Sequence, residues 1–343
     1  MDTRSLGKIA VLLLLALATL DAVLAVYAVY KAPYPLRVNL GSPTAYLNIY
    51  IHIPMAWGSY LLYTLAFITA ILYLVKGGER LDAYIRALVT TATAYAVFTL
   101  ISGMAWASES WGAAWSWDPR QTGVLLLLLA YLLYFVLRSS IPDPDRASRL
   151  SAAYAVAAYS MVPVSFLAPR LAASSLHPTM EQFGNFMAQP EVIRIFVIRI
   201  VMASLIAILL AYIMAKRYEN AKPLHVGLLR YAGIVFVIAS IVMGLIMVYP
   251  YLSGGVERVV DAKLANGKVV ALVLSKSGHV ELGKPLTVPI VEGEPAIIGH
   301  LVKVRDSSVE IVIHWSVALN VAAYLMLLGV LMLYASRSRG RGV

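Results

Sequence analysis

Residues 122–138 read Thr122-Gly-Val-Leu-Leu-Leu-Leu-Leu-Ala-Tyr-Leu-Leu-Tyr-Phe-Val-Leu-Arg138, and no charge interrupts them before the final arginine. A helix rises about 1.5 Å per residue, so roughly 20 such residues cross a hydrocarbon core about 30 Å thick. Outward from this run, seven more stretches satisfy the same condition: roughly 9–30, 53–75, 84–104, 150–168, 192–215, 228–249 and 311–335. The fold class that follows is an all-α polytopic membrane protein with about eight transmembrane helices. Composition agrees, since 60% of the chain is hydrophobic and only 13% charged, against about 25% charged in soluble domains. With no cysteine at all, disulfides, thiolate-bound metals, iron–sulfur clusters and a covalent c-type haem site of the chain's own are excluded.

The net charge of +10 does not imply a nucleic-acid partner, because Lys and Arg gather in cytoplasmic loops by topology alone. With the N-terminus inside, 15 of them, from Arg4 and Lys8 to Arg337, Arg339 and Arg341, fall in cytoplasmic segments, and four (Lys31, Arg37, Arg120 and Arg170) fall in short outer loops. Both termini are therefore expected in the cytoplasm of a multi-pass plasma-membrane protein. The first span reads as retained rather than cleaved, being longer than a signal-peptide core and lacking a small-residue cleavage site after it. Asp21 interrupts it, and a carboxylate at that depth is expected to be protonated or to face a partner in the bundle.

Segment 251–310 breaks the pattern. Lys268–Ser275 and Pro285–Val291 are rich in Val and Leu and are punctuated by Asn266-Gly267, Ser277-Gly278 and Gly293, which reads as short strands and turns. The chain thus divides into a six-helix core (1–216, with a Trp-rich loop at 106–122), a cytoplasmic loop with helix seven (217–250), a small extracytoplasmic β module (251–310) and helix eight with a basic tail (311–343). Seven basic residues balance seven acidic ones in the module, which favours, slightly, a docking surface over a structural cap.

Four of the six Trp, namely Trp106, Trp111, Trp115 and Trp117, lie within twelve residues, in a string that ends Trp115-Ser-Trp117-Asp118-Pro-Arg120-Gln-Thr122. Such a loop offers a wide, rigid π surface closed by a carboxylate and a guanidinium, suited to a flat aromatic ligand with charged edges. His52, in Asn48-Ile-Tyr50-Ile-His52-Ile-Pro54, and His177, in Ser174-Ser-Leu-His177-Pro178-Thr179, fall on the same side of the membrane. Two neutral imidazoles from separate segments can fill both axial positions of a haem iron; an ordinary polar residue at a polar depth is the alternative for each.

The string Trp111-Gly-x-x-Trp-x-Trp-Asp118-x-Arg120-x-Thr122 resembles the signature of the WWD-domain haem-handling proteins. With the flanking segments around His52 and His177, which end in Trp57 on one side and Pro178 on the other, it resembles the CcmC-type cytochrome c biogenesis proteins over about residues 8–216. The resemblance implies that His52 and His177 ligate haem b, held transiently and without covalent attachment. It implies that Trp111, Trp115, Trp117, Asp118 and Arg120 hold the haem at the outer face. It further implies transfer to a CcmE-like haem chaperone, with the subunits of an ABC transporter as partners and a carrier role rather than an enzymatic one. Ala114 stands where the family usually has a Trp, and residues 217–343 lie beyond its usual six-helix form.

Among other titratable residues, Arg120, Arg170 and Arg194 are placed to meet a propionate, Arg199 should face the bundle or a wet cavity rather than lipid, and Glu109 is placed to orient Arg120 or a histidine. His225, His279 and His300 lie elsewhere, and His314 is the rival axial ligand. There is no Walker loop and no Gly-x-Ser-x-Gly elbow, so nucleotide hydrolysis would belong to a partner chain. A b-type electron-transfer cytochrome and a haem-free permease subunit remain as alternatives; the first would place paired histidines within the helices.

Overall fold

The apolar runs fold as helices in the computed structural model, which describes residues 3–337 apart from 39, 172–174, 178–183, 185–187, 220–225 and 306–307. His225, Arg339 and Arg341 lie outside the described residues. The helices are α1 (Thr3–Lys31), α2 (His52–Lys76), α3 (Glu79–Ser110), α4 (Pro119–Ser140), α5 (Pro144–Ala158), α6 (Met161–Leu171), α7 (Pro190–Tyr218), α8 (Val226–Leu252) and α9 (Trp315–Ser336). A 3-10 helix, Pro43–Tyr50, leads directly into α2. Eight spans among the described residues are long and apolar enough to cross a membrane. The fifth joins α5 to α6 across a break at Tyr159-Ser160. Pro163 accounts for the break: it has no N–H for the Tyr159 carbonyl, and its ring crowds that carbonyl.

Local sequence builds the ends. Asp118 caps α4 by accepting the Arg120 N–H at 2.8 Å, and Pro119 fills the first helical position, where a missing N–H costs nothing. Asp143 and Pro144 repeat the arrangement for α5. His314 caps α9 through its ring, whose Nδ1 accepts the Ser316 N–H at 3.1 Å.

The third and eighth spans are the most enclosed and α8 the least. α8 leans on α9 at two glycines: a Cβ on Gly233 would stand 2.9 Å from the Gly329 carbonyl, and one on Gly329 would stand 2.8 Å from the Gly233 carbonyl. Only residues without side chains allow that approach. Tyr63 of α2 stacks on Tyr131 of α4 with centroids 3.8 Å apart. At the end of the bundle away from the Trp loop, Arg138 binds both carboxylate oxygens of Asp82, at 2.7 and 2.6 Å, tying α4 to α3.

Asp21 meets a partner in the bundle, the second of the two outcomes open to a carboxylate at that depth. It pairs with Arg199 of α7, both fully buried, and accepts the Tyr324 hydroxyl from α9. Arg199 also donates through Nε to the Tyr50 carbonyl at 2.9 Å. One buried guanidinium therefore holds α1, α7 and the backbone two residues before His52.

Between α8 and α9 lies a five-stranded antiparallel sheet in the order β3-β2-β1-β6-β7, from β1 (Val256–Ala265), β2 (Lys268–Leu274), β3 (Gly278–Leu286), β6 (Leu301–Arg305) and β7 (Ser308–Ile311). A separate hairpin pairs β4 (Ile290–Val291) with β5 (Glu294–Pro295). Asn266 and Gly267, both at positive φ (51° and 71°), make the tight β1–β2 turn. Val259, Val269, Leu272, Leu274, Ile297 and Val302 form the module's own core. Two readings need correction. Residues 285–291 are not one strand, because 287–289 are irregular, and the last helix starts at Trp315 rather than near 311, because Ser308–Ile311 is claimed by pairing with β6.

Candidate functional site

The two singled-out histidines are each held through one ring nitrogen. His52, the first residue of α2, lies with Nδ1 2.8 Å from the Ser102 hydroxyl of α3. That hydroxyl donates to the Thr99 carbonyl at 3.2 Å, so it accepts from His52, which places the proton on Nδ1. His177 lies with Nδ1 2.6 Å from Asp118 Oδ1. Asp118 also accepts the Leu176 N–H at 2.6 Å and the Ser175 hydroxyl at 2.9 Å. Burial would raise the Asp118 pKa, but the bond and charge of His177, then Leu176 and Ser175, outweigh burial and hold it well below the usual carboxylate range. An ionised Asp118 only accepts, so His177 too carries its proton on Nδ1. Neither Nε2 has a hydrogen-bond partner among the described residues. His177 and Arg120 each lie within electrostatic reach of the His52 ring.

The Trp cluster is not a single platform. Trp106 belongs to α3 and stands edge-on to His52, with centroids 6.0 Å apart, and to Tyr46 at 5.9 Å. Trp111 stands edge-on to His177 at 4.9 Å. Trp115 and Trp117 pair with each other at 5.5 Å, and Trp117 is 73% exposed. Its backbone has φ 57°, a conformation unfavourable for so large a residue, at a cost of about 1–3 kcal/mol. Gln121 braces the loop: Nε2 donates to the Ala114 carbonyl at 3.0 Å, and Oε1 accepts from Ser116.

Arg120 donates through Nη2 to the Phe166 carbonyl at 3.0 Å, while its buried Nε and the Trp106 Nε1 have no partner among the described residues. Arg170 and Arg194 are exposed. Glu109 orients a histidine, though not one of the pair: Oε2 accepts His314 Nε2–H at 2.9 Å, and Oε1 accepts from Arg258. With Nδ1 already accepting from Ser316, both His314 nitrogens are engaged, which removes it as a ready ligand.

The donor set fits a haem. Two imidazoles are presented Nε2-first, each oriented by an acceptor behind it, as metal-binding histidines usually are. Trp rings stand beside both, and unpaired buried donors at Arg120 and Trp106 suit a ligand with carboxylate edges. Sequence reading missed Ser102 and its neighbour Gly103, whose absent Cβ would stand 3.0 Å from His52 Cε1. The small pair Ser102-Gly103, one turn before Trp106, was the available signal.

Fold and geometry together describe a multi-pass membrane protein that holds His52 at the mouth of α2 and His177 in a connection, each through Nδ1, at one end of its bundle. The family model for cytochrome c assembly proteins matches residues 3–177, more than half the chain and the whole of that site, and the chain belongs to this family. Heme exporter protein C of Bradyrhizobium diazoefficiens is 34% identical over 104 residues, 30% of this chain and 40% of that protein. Heme exporter protein C of Paracoccus denitrificans is 29% identical over 103 residues, covering 30% and 43%. Cytochrome c biogenesis protein CcsA of Thermosynechococcus vestitus is 38% identical over 78 residues, covering 23% and 24%. Each match spans less than half of the relative. The CcmC-type resemblance read from the motifs is borne out.

Proposed function

We propose that this chain is a membrane haem carrier of cytochrome c maturation. Haem b is its cargo, held without covalent attachment by His52 and His177 at the extracytoplasmic end of the bundle, against Trp111, Trp115 and Trp117. The observation that carries this reading is the two imidazoles, one at the start of α2 and one in a connection, each fixed through Nδ1 with Nε2 left unbonded. The bound haem brings a redox-active iron, and the chain's own residues bind and orient it. Asp118 and Ser102 accept from Nδ1 of the two rings and aim their Nε2 atoms, and Arg120 meets a propionate.

The relatives' names, heme exporter protein C and cytochrome c biogenesis protein, point the same way. Both termini lie in the cytoplasm on the charge count, which puts the β module and the site outside. The site opens at a helix mouth and a loop rather than deep between helices, which suits release to a CcmE-like haem chaperone. Subunits of an ABC transporter assist, and the chain acts as a carrier rather than an enzyme, with no nucleic-acid partner. The test is the hemin spectrum of the purified protein: the wild type should be low-spin, and His52→Ala or His177→Ala should each open an axial position and lower haem content. Unchanged spectra and haem content in both variants would overturn the ligand assignment.

A further inference from the structure

The family match stops at residue 177, yet residues beyond it reach the His52 half of the site through a continuous set of hydrogen bonds. Arg258 on β1 donates to Glu109 Oε1. Glu109 Oε2 accepts His314 Nε2–H, and His314 Nδ1 accepts the Ser316 hydroxyl at 2.8 Å. The Ser316 oxygen accepts Asn48 Nδ2 at 2.9 Å, and Asn48 Oδ1 accepts Asn320 Nδ2 at 2.8 Å. Asn320 Nδ2 also donates to the carbonyl of Ser102 at 3.1 Å, and the Ser102 hydroxyl is what holds His52. Every hydrogen in this series has a consistent donor and acceptor.

Its members are hidden. Asn48, Ser102, Ser316 and Asn320 are fully buried and His314 is 1% exposed. Polar groups at such depth cost free energy unless bonded, so the series holds one arrangement. Anchoring the sheet to the helices would need only the Arg258–Glu109 pair. The module also sits on the connection that delivers His52: Gly299 abuts Pro43, His300 faces the Tyr34 ring at 6.0 Å, and the Thr44 hydroxyl meets the Val312 carbonyl at 3.5 Å. His177, by contrast, is held by Asp118, both within the span that the family model matches, and none of these bonds touches it.

We propose that Glu109, His314 and Asn320 are positioning residues through which the β module and α9 fix Ser102, and hence the ring of His52, leaving His177 independent of the module. The two candidate ligands then differ: one is governed by the extension and the other is not. The consequence for haem binding rests on the proposed function, whereas the positioning itself can be read without haem.

The experiment uses the full chain in lipid nanodiscs, first without haem. The rate of diethyl pyrocarbonate modification is measured at His52 and His177 in the same molecules by peptide mass spectrometry. Arg258→Ala, Glu109→Ala and Asn320→Leu should raise the rate at His52 severalfold and leave His177 unchanged, and Arg258→Lys should restore the wild-type ratio. A His52 rate equal to wild type in folded Arg258→Ala and Glu109→Ala overturns the proposal, as does an equal rise at both histidines. Arg258 is a partly exposed surface partner, so its variant decides the matter even where Asn320→Leu fails to fold. Hemin is then added to the same samples, where loss of the relay should lower affinity by about 10-fold, the low end for losing an outer-shell partner. A wild type with no low-spin spectrum defeats the haem reading, while a raised His52 rate in the variants still upholds the positioning.

Discussion

Asp118 and His177, 59 positions apart, meet with Oδ1 2.6 Å from Nδ1. The last acidic residue of the Trp loop therefore does three things at once: it caps α4, closes the connection at Ser175-Leu176, and sets the tautomer of one imidazole. This joins the loop to a histidine through a carboxylate, and the aromatic rings follow where that bond puts them.

Asp118→Asn tests the junction. The amide offers one accepting atom in place of two, so at least one of the donors at Leu176 and Ser175 or at Arg120 and His177 loses its bond. The α4 cap is retained in large part, since Asn caps nearly as well as Asp. Hemin affinity should fall by about 10–100-fold, as for other histidine outer-shell partners, with helical content unchanged in circular dichroism. Wild-type affinity would show that Asp118 serves the fold alone.

Gly103→Ala puts a methyl 3.0 Å from His52 Cε1. Alanine is the better helix former by about 1 kcal/mol, so α3 should not be weakened while His52 is pushed off its Ser102 bond. The expected outcome is a protein of equal or higher thermal midpoint with a reduced low-spin share in the hemin spectrum. A loss of thermal stability with a normal spectrum would contradict it.

Arg199→Met leaves the Asp21 carboxylate buried without its partner and should cost about 3–5 kcal/mol, seen as a lower thermal midpoint in detergent. Replacing both, as Asp21→Leu with Arg199→Met, should recover most of that loss, since no charge is then stranded. Failure to recover would mean that the Arg199 bond to the Tyr50 carbonyl carries the stability.

His300 gives the β module a pH response. Burial lowers its pKa from the ordinary 6.5, outweighing the bonds to the Ile298 and Ile297 backbone that raise it. The unfolded chain then binds a proton that the folded module refuses, so stability is full above pH 6.5 and declines as pH falls from there toward the depressed folded value. Amide exchange in β1 and β6 should accelerate on acidification through that range, and His300→Gln should flatten the response. A module whose exchange protection is constant across it would refute the assignment.

Trp117→Gly removes an exposed ring held at positive φ. The thermal midpoint should rise or hold, because about 1–3 kcal/mol of backbone strain is released, while hemin binding weakens. Weakened binding without a stability penalty separates a binding role from an interfacial belt, in which binding would not change.

The sequence by itself determined the spans, because about 20 apolar residues have one stable use, and it determined the caps at Asp118 and Asp143 and the turn at Asn266-Gly267, because these depend on neighbours a few residues away. It also marked His52, His177 and the Trp loop, since a dense local motif needs no partner to be seen. The tertiary structure decided what holds them. Ser102 behind His52, Asp118 behind His177, Arg199 between Asp21 and the Tyr50 carbonyl, and Asn320 reaching Ser102 all pair residues 50 to 218 positions apart. His314 shows the difference most plainly: as a sequence position it rivals the chosen pair, Ser316 two residues on engages its Nδ1 locally, and only the approach of Glu109 from α3 takes up its Nε2. Propensity and hydropathy act over one or two helical turns, whereas hydrogen-bond satisfaction in a buried polar network depends on which helices lie side by side, and packing alone sets that.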